Sequence, residues 1–261
     1  MGERRFEGRH IAVTGAGTGI GRAIAERLAR EGAALSVFAR QVARLAALIE
    51  ELRAEGCGPV QAFACDVRNR NAVNRAFEQA AGEQGPFHDF VGNAGIGGPN
   101  QDGDDDRFLD LVATNLSGSY FTARAALRHL APGPQPRRLV FIASILARIG
   151  VGGYTGYCAS KAGILGLVRA LARELAPQGI EVNALCPGWV DTEMAREGLE
   201  GMARAMRVTP AEAHRIAMQE VPAGRMSQPA EIAGTVAWLL SPDSRGVTGQ
   251  AIDQNGGAFM L

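Results

Sequence analysis

Short β-rich apolar runs alternate along the chain with stretches whose apolar residues recur every three or four positions. His10 to Thr14, Leu35 to Ala39, Val60 to Ala64, Phe90 to Val91, Leu139 to Ala143, Glu181 to Leu185 and Gln250 to Ile252 are the strand-like runs. Ile20, Ile24 and Leu28 make one helical stripe. Ile164, Val168, Leu171 and Leu175 make a second, and Ile232, Val236 and Leu239 a third. Strand–helix alternation implies right-handed crossovers and a parallel sheet covered on both faces. The pattern predicts an α/β chain: one doubly wound parallel sheet of about seven strands, in one domain over residues 1–261. Ala131-Pro132-Gly133-Pro134-Gln135-Pro136 interrupts the pattern, but it is short and reads as a surface loop. Residues 191–226 differ in kind. They are helical in pattern, carry Met194, Met202, Met206 and Met218, and follow a strand's C-terminal end. Such a segment covers a ligand or is a packing insertion.

Composition narrows the partners. Apolar residues make up 46% of 261, enough for one continuous core. The 27 basic and 27 acidic side chains cancel, which argues against nucleic acid and anionic membrane surfaces. Cys57, Cys65, Cys158 and Cys186 are scattered without metal-ligand spacing and read as reduced core thiols. The first residues lack the apolar run of a signal peptide, and Phe6 stands where a myristoylated Gly2 would want Ser or Thr. No apolar stretch approaches the ~20 residues of a membrane span. A soluble, cytoplasmic protein is expected. The acidic run Asp102 to Asp106 suits a solvated helix start better than a metal site.

Two motifs carry chemistry. The first is Thr14-Gly15-Ala16-Gly17-Thr18-Gly19-Ile20-Gly21, between the first strand and the first helix. Missing Cβ atoms let this backbone turn sharply and approach a pyrophosphate, which then faces the free N–H groups of the helix. The second strand ends Phe38-Ala39-Arg40. An acid there would bind ribose hydroxyls; Arg40 instead offers a planar fork to a 2′-phosphate. NADP(H) is therefore preferred, with NAD(H) possible. Asp66, after the third strand, can accept from the adenine amino group or cap the next helix.

The second motif is Tyr157-Cys158-Ala159-Ser160-Lys161, with Ser144 upstream at a strand end. Residues four apart share a helix face. An ammonium beside a phenol favours the phenolate and lowers its pKa from about 10. Tyr157 can then exchange a proton with a carbonyl or alcohol oxygen that Ser144 holds. Tyr154 is a rival phenol, but four residues beyond it stands Cys158, so it is assigned to the pocket wall.

These motifs, with Asp66-Val67, Asn93-Ala94-Gly95, Asn115, Val182-Asn183, Pro187-Gly188 and Thr192, resemble the short-chain dehydrogenases/reductases in their compact, ketoreductase-like branch. The match runs from about Gly8 to the C-terminus. The resemblance implies a Rossmann fold and contributes roles. Asn115 would hold a water in a proton relay, and Lys161 would also bind the nicotinamide ribose. Val190 and Thr192 would hold the carboxamide. Gly15, Thr18, Gly19, Ile20, Gly21, Asp66, Val67, Asn93, Ala94, Gly95, Pro187 and Gly188 would line the cofactor. Three departures stand out. Thr18 is not the basic loop residue of some NADP members. Gly92 replaces an asparagine and would loosen the strand end. Asp253-Gln254-Asn255-Gly256-Gly257 replaces a Val-Asp-Gly-Gly ending.

The expected activity is hydride transfer between NADP(H) and a hydrophobic ketone or secondary alcohol: 3-oxoacyl, polyketide-like, or cyclic and aryl. Ile145, Leu146, Ile149, Tyr154, Trp189 and Met194 would wall the pocket. Arg124, Arg128, Arg169 and Arg173 are candidates for a carrier-binding entrance, though a solvated helix surface is the preferred reading. The rival functions are an NAD(H)-dependent alcohol dehydrogenase and a non-catalytic NADP(H) sensor. A nucleotide-sugar epimerase would need a larger substrate domain. The branch commonly forms tetramers; the long helices around Asn115 and Lys161 and the apolar tail Ala258-Phe259-Met260-Leu261 suit one, and the same tail could instead fold onto its own subunit.

Overall fold

The computed structural model describes residues 4–100, 102–133 and 135–260. Gly2, Pro134 and Leu261, named in the sequence reading, lie outside the described residues. The strands are β1 (His10–Thr14), β2 (Ala34–Ala39), β3 (Val60–Ala64), β4 (Asp89–Gly92), β5 (Arg137–Ile142), β6 (Ile180–Pro187) and β7 (Ala251–Gln254). The helices are α1 (Gly19–Arg30), α2 (Ala43–Ala54), α3 (Arg70–Gln84), α4 (Phe108–Val112), α5 (Gly118–Arg128), α6 (Thr155–Leu175), α7 (Glu193–Met206), α8 (Pro210–Gln219) and α9 (Pro229–Leu240).

The strands form one sheet in the order β3-β2-β1-β4-β5-β6-β7, every pair parallel. This is the doubly wound Rossmann architecture that the alternation predicts. Successive side chains of a strand feed opposite faces. Leu35 and Val37 pack with α1, α2 and α9, through Ile24, Leu28, Leu45 and Val236. Phe38 points the other way, toward α3, α5 and α6. There it stacks on Phe77, with centroids 4.2 Å apart. Phe90 and Phe141 continue the aromatic row at 6.1 and 5.8 Å. The chain reverses direction across the sheet between β1 and β4, so a crevice opens at their C-terminal ends.

Three expectations change. β4 begins at Asp89, earlier than its apolar core suggests, because a fully buried carboxylate sits in the strand. Arg9 donates to it twice at 2.8 Å and the Arg138 amide once at 2.9 Å. Gly92 does not loosen the strand end. It pairs with Phe141, whose ring occupies the space a side chain would need: a Cβ there would lie 2.8 Å from Phe141 Cδ1. Asp66 does not cap α3. Asn69 does, accepting from the Ala72 amide at 3.0 Å.

The altered C-terminal ending has its own contacts. Asp253 accepts from Arg148 Nε and Nη2, both at 3.2 Å, while Arg148 Nη2 also donates to Ala251 O at 2.7 Å. This pair ties the segment after Ser144 to β7. Asn255 Nδ2 donates to Phe259 O at 3.1 Å, and its Oδ1 accepts from the Gly257 amide at 3.0 Å, folding the tail back on itself. Among the described residues no helix is long and apolar enough to cross a membrane.

Candidate active site

The glycine loop leaves β1 at Thr14. Gly15 has φ +68°, and a Cβ on it would lie 2.8 Å from Ala94 Cα. A Cβ on Gly21 would lie 2.1 Å from Gly15 O. The loop therefore closes onto the first turn of α1 only with glycine at both places. Thr18, at the start of α1, makes no side-chain cap, and no acid stands in the first turn. The leading amides of α1, including Ile20 and Gly21, thus have neither a capping oxygen nor a competing carboxylate, which suits a pyrophosphate. The donor set and the crowded cradle fit a dinucleotide.

The other side of the crevice is braced. Thr14 Oγ1 donates to Val91 O at 3.3 Å and accepts from the Asn93 and Ala94 amides at 3.0 and 3.1 Å. Asn93 Nδ2 donates to Thr14 O at 3.1 Å and Gly15 O at 3.0 Å. Asn93, expected to line the cofactor, spends its amide donors on the loop itself. Val67 likewise turns its side chain against α5 at Gly118. At the adenosine end, Arg40 is exposed just past β2. Asp66 is gripped by Arg68, whose guanidinium holds the carboxyl below its usual range; the charge of Arg40 adds to this.

At the opposite end, β5 and α6 bring together Ser144, Tyr157 and Lys161, the candidate proton-transfer residues. Ser144 follows β5, and its Oγ accepts from the Leu146 amide at 3.1 Å. Its hydroxyl lies near enough to the Tyr157 phenol to pull the phenol's pKa downward. Lys161 is buried, donates from Nζ to Ile142 O at 2.9 Å, and lies 5.7 Å from the Tyr157 ring centre. Burial lowers its pKa to about 8. The phenol moves up, not down. Burial raises the Tyr157 pKa, against a lowering contribution from Ser144. Lys161 is not among the groups that shift the phenol: its Nζ is turned to the Ile142 carbonyl.

Asn115 is completely buried in a wide turn, Ala113–Ser117, that splices α4 to α5 with π-type bonding. Such bulges recur at functional sites. Its Nδ2 donates to Ile96 O and Ser160 Oγ, both at 3.0 Å, and its Oδ1 accepts from the Ile96 amide at 2.9 Å. It anchors the segment after β4 to α6.

Other assigned residues divide. Thr192 caps α7, accepting from the Ala195 amide at 3.3 Å and donating to Val190 O at 3.2 Å. Gly188 donates from its amide to Gln254 O at 3.1 Å, and Pro187 ends β6 in register with Gln254. Ile145, Leu146, Ile149 and Tyr154 follow Ser144 toward the start of α6, and Met194 lies against Gly97 across the crevice. Trp189 lies against the α7–α8 unit. Its ring rests on Gly198 and packs with Leu199, Met202 and Met218 of the α7–α8 unit.

Sequence reasoning missed Asn100. Its Oδ1 accepts from the Gly156 amide at 2.8 Å and from Thr155 Oγ1 at 3.0 Å, closing the first turn of α6 from outside the helix. No local pattern reveals a cap 56 residues away. It also missed a compositional signal: Lys161 is the only lysine of the chain, and the other basic side chains are all arginines. Guanidinium cannot titrate near neutrality or act as a compact point charge. The one surviving ammonium marks a place where those properties matter.

Fold and site together describe a dinucleotide-using oxidoreductase. A family model described as enoyl-(acyl carrier protein) reductase matches residues 15–258. The chain is 34% identical to 3-oxoacyl-(acyl-carrier-protein) reductase FabG of Vibrio harveyi over 98% of this chain and 99% of that one. A tryptophan variant of actinorhodin polyketide ketoreductase with NADPH superposes with TM-score 0.90 at 37% identity, covering 99% of both chains. A short-chain type dehydrogenase/reductase from Mycobacterium marinum gives 0.87 at 31%, covering 99% and 98%. The chain belongs to the short-chain dehydrogenase/reductase family, whose members are oxidoreductases.

Proposed function

We propose that this protein is an NADP(H)-dependent ketoreductase acting on a hydrophobic ketone of the 3-oxoacyl or polyketide kind. The observation that carries this is the meeting of Ser144, Tyr157 and Lys161 at the end of β5, across the sheet's switch point from the glycine loop. When bound, the nicotinamide supplies or accepts the hydride. The rest is done by side chains. Ser144 gives the ketone oxygen a hydrogen bond, and Tyr157 gives it the proton. Its raised pKa keeps the phenol protonated and ready as an acid near neutrality. Lys161, charged below about pH 8, then faces the phenolate and favours it. The glycine loop and α1 hold the pyrophosphate, and Arg40 favours NADP(H) over NAD(H).

The relatives' names, a 3-oxoacyl-carrier-protein reductase and a polyketide ketoreductase with NADPH, support the substrate class and the cofactor. Ile145, Leu146, Ile149 and Met194 would give such a substrate an apolar wall. On this reading residues 191–226 cover the substrate, and the chain works as a homotetramer in the cytoplasm, which sedimentation and fractionation would check. The test is NADPH oxidation with a panel from 3-oxoacyl thioesters to cyclic and aryl ketones. Tyr157→Phe should lose roughly 10²–10⁴ in kcat while retaining cofactor binding. Cofactor binding without turnover on any ketone or alcohol would overturn the proposal in favour of a sensor.

A further inference from the structure

Ser144 opens a tight turn, Ile145–Ala147, and its own side chain starts that turn. Its Oγ accepts from the Leu146 amide at 3.1 Å, which fixes the oxygen and leaves the hydroxyl proton to donate elsewhere. The turn closes on Arg148, whose amide donates to Ile145 O at 2.8 Å. Beyond Arg148 the chain is loosely held. Ile149 O accepts from Cys158 Sγ at 3.8 Å, a weak bond. A Cβ placed on Gly150, Gly152 or Gly153 would meet no atom within 4 Å among the described residues, so nothing packs on that stretch.

Arg148 supplies the restraint that the glycines do not. Its Nε and Nη2 each reach one carboxylate oxygen of Asp253 at 3.2 Å, and Nη2 also donates to Ala251 O at 2.7 Å. This is a fork-to-fork pair with a third bond to the backbone. The two side chains are only 15% and 19% exposed, so the pair is not the solvated kind that holds little. Asp253 stands in register with Cys186 of β6. Burial pushes the Cys186 thiol up to about 11, and the Asp253 charge adds to this, while Arg148 and the Ser144 amide pull it down. Ser144, Arg148 and Asp253 thus converge on one buried side chain. Asp253 also opens the ending at which this chain departs from its family.

We infer that Arg148 is a positioning residue for ketone reduction: held by Asp253 and Ala251 O, it ties the Ser144 turn to the last strand and sets where the Ser144 hydroxyl meets the ketone oxygen. The inference rests on the ketoreductase reading above and adds a residue to it. Arg148 acts through Ser144 and not on the substrate itself. The first turn of α6, which carries Tyr157, is closed separately by Asn100. A hydrogen bond to a reacting oxygen depends steeply on distance and angle. A loosened turn therefore slows the chemical step and leaves cofactor affinity alone.

A double-mutant cycle with Ser144→Ala tests this, read as NADPH oxidation with the fastest ketone of the panel above. Arg148→Ala should lower kcat by roughly 10- to 10²-fold and leave NADPH affinity unchanged. In a Ser144→Ala background it should cost nothing further. Arg148→Lys keeps the charge without the fork and should recover part of the loss. Arg148→Met combined with Asp253→Leu removes both charges together, so neither is left alone in a largely buried place to unfold the chain. That pair should show the same kcat loss and the same dependence on Ser144. An equal fold-loss with and without the Ser144 hydroxyl would make Arg148 a structural residue and overturn the assignment, as would wild-type kcat in Arg148→Ala. No turnover by the wild-type chain on any ketone or alcohol would sink the ketoreductase reading itself, and the assignment with it.

Discussion

Lys161 shows how burial sets a residue's working range. Taking its ammonium out of water brings the pKa to about 8, while the same desolvation raises Tyr157. The favoured pair, a protonated phenol and a charged amine, therefore exists below about pH 8. The rate of ketone reduction is expected to hold on the acid side and to fall as pH rises through that value. Lys161→Arg stays charged throughout, so the fall should disappear from its kcat profile. It should also be slower by roughly 10²-fold, because a planar fork cannot take the place of a compact ammonium. A profile unchanged by that substitution would assign the titration to another group. The glycine loop, Arg40 and the Ser–Tyr–Lys set were all readable as residues, since each depends on spacing within one short segment. The direction of the phenol's shift was not readable, because desolvation belongs to the fold.

Elements decide how firmly those residues are held. The strands and helical stripes announced themselves because apolar side chains must face a core with the period of their backbone. The polar start of β4 escaped notice: Asp89 is neutralised by Arg9, which lies in another segment. Asn100 escaped for the same reason. Its carboxamide closes α6 across the fold, directly before the turn that bears Tyr157. Asn100→Ala should cost about 1 kcal/mol in chemical denaturation, as loss of a helix cap does. It should lower kcat more than it raises KM, since what loosens is the acid's position and not the binding wall. Asn100→Asp keeps the accepting oxygen but sets a carboxylate against Asp106, to which Asn100 Nδ2 donates at 3.2 Å, so it should restore only part of both. Equal effects of Ala and Asp on kcat would argue against a capping role.

Across the whole molecule the two ends of the sheet do different work. The C-terminal ends of the strands hold the crevice, and the N-terminal ends hold a buried polar layer. There His10 Nδ1 donates to Gly85 O at 2.9 Å, which leaves Nε2 to accept from Ser36 Oγ at 2.8 Å. Burial lowers the ring's pKa below 6.5, which favours its neutral form. His88 is lowered too, by burial and by the charge of Arg9. Both groups bind protons more readily when unfolded, so their contribution is complete above about pH 6.5 and lost as pH falls below it. Urea midpoints should drop between pH 7.5 and 5.5, and less steeply in His10→Gln. An equal drop in that variant would place the proton-sensitive group elsewhere.

The helices α7 and α8 carry an apolar nucleus of their own. Leu199, Ala217, Met218, Val221 and Met226 are buried together, apart from the two clusters that flank the sheet. A unit with a private interior can swing or melt without tearing the structure beneath it. Amide exchange should accordingly divide this protein into two populations. Protons of residues 193–219 should leave well before those of β1, β4 and β5, and should slow when dinucleotide is added. On the proposed function, entry and exit of a bulky ketone would require only the smaller body to yield, while Ser144, Tyr157 and Lys161 stay in register on the larger one.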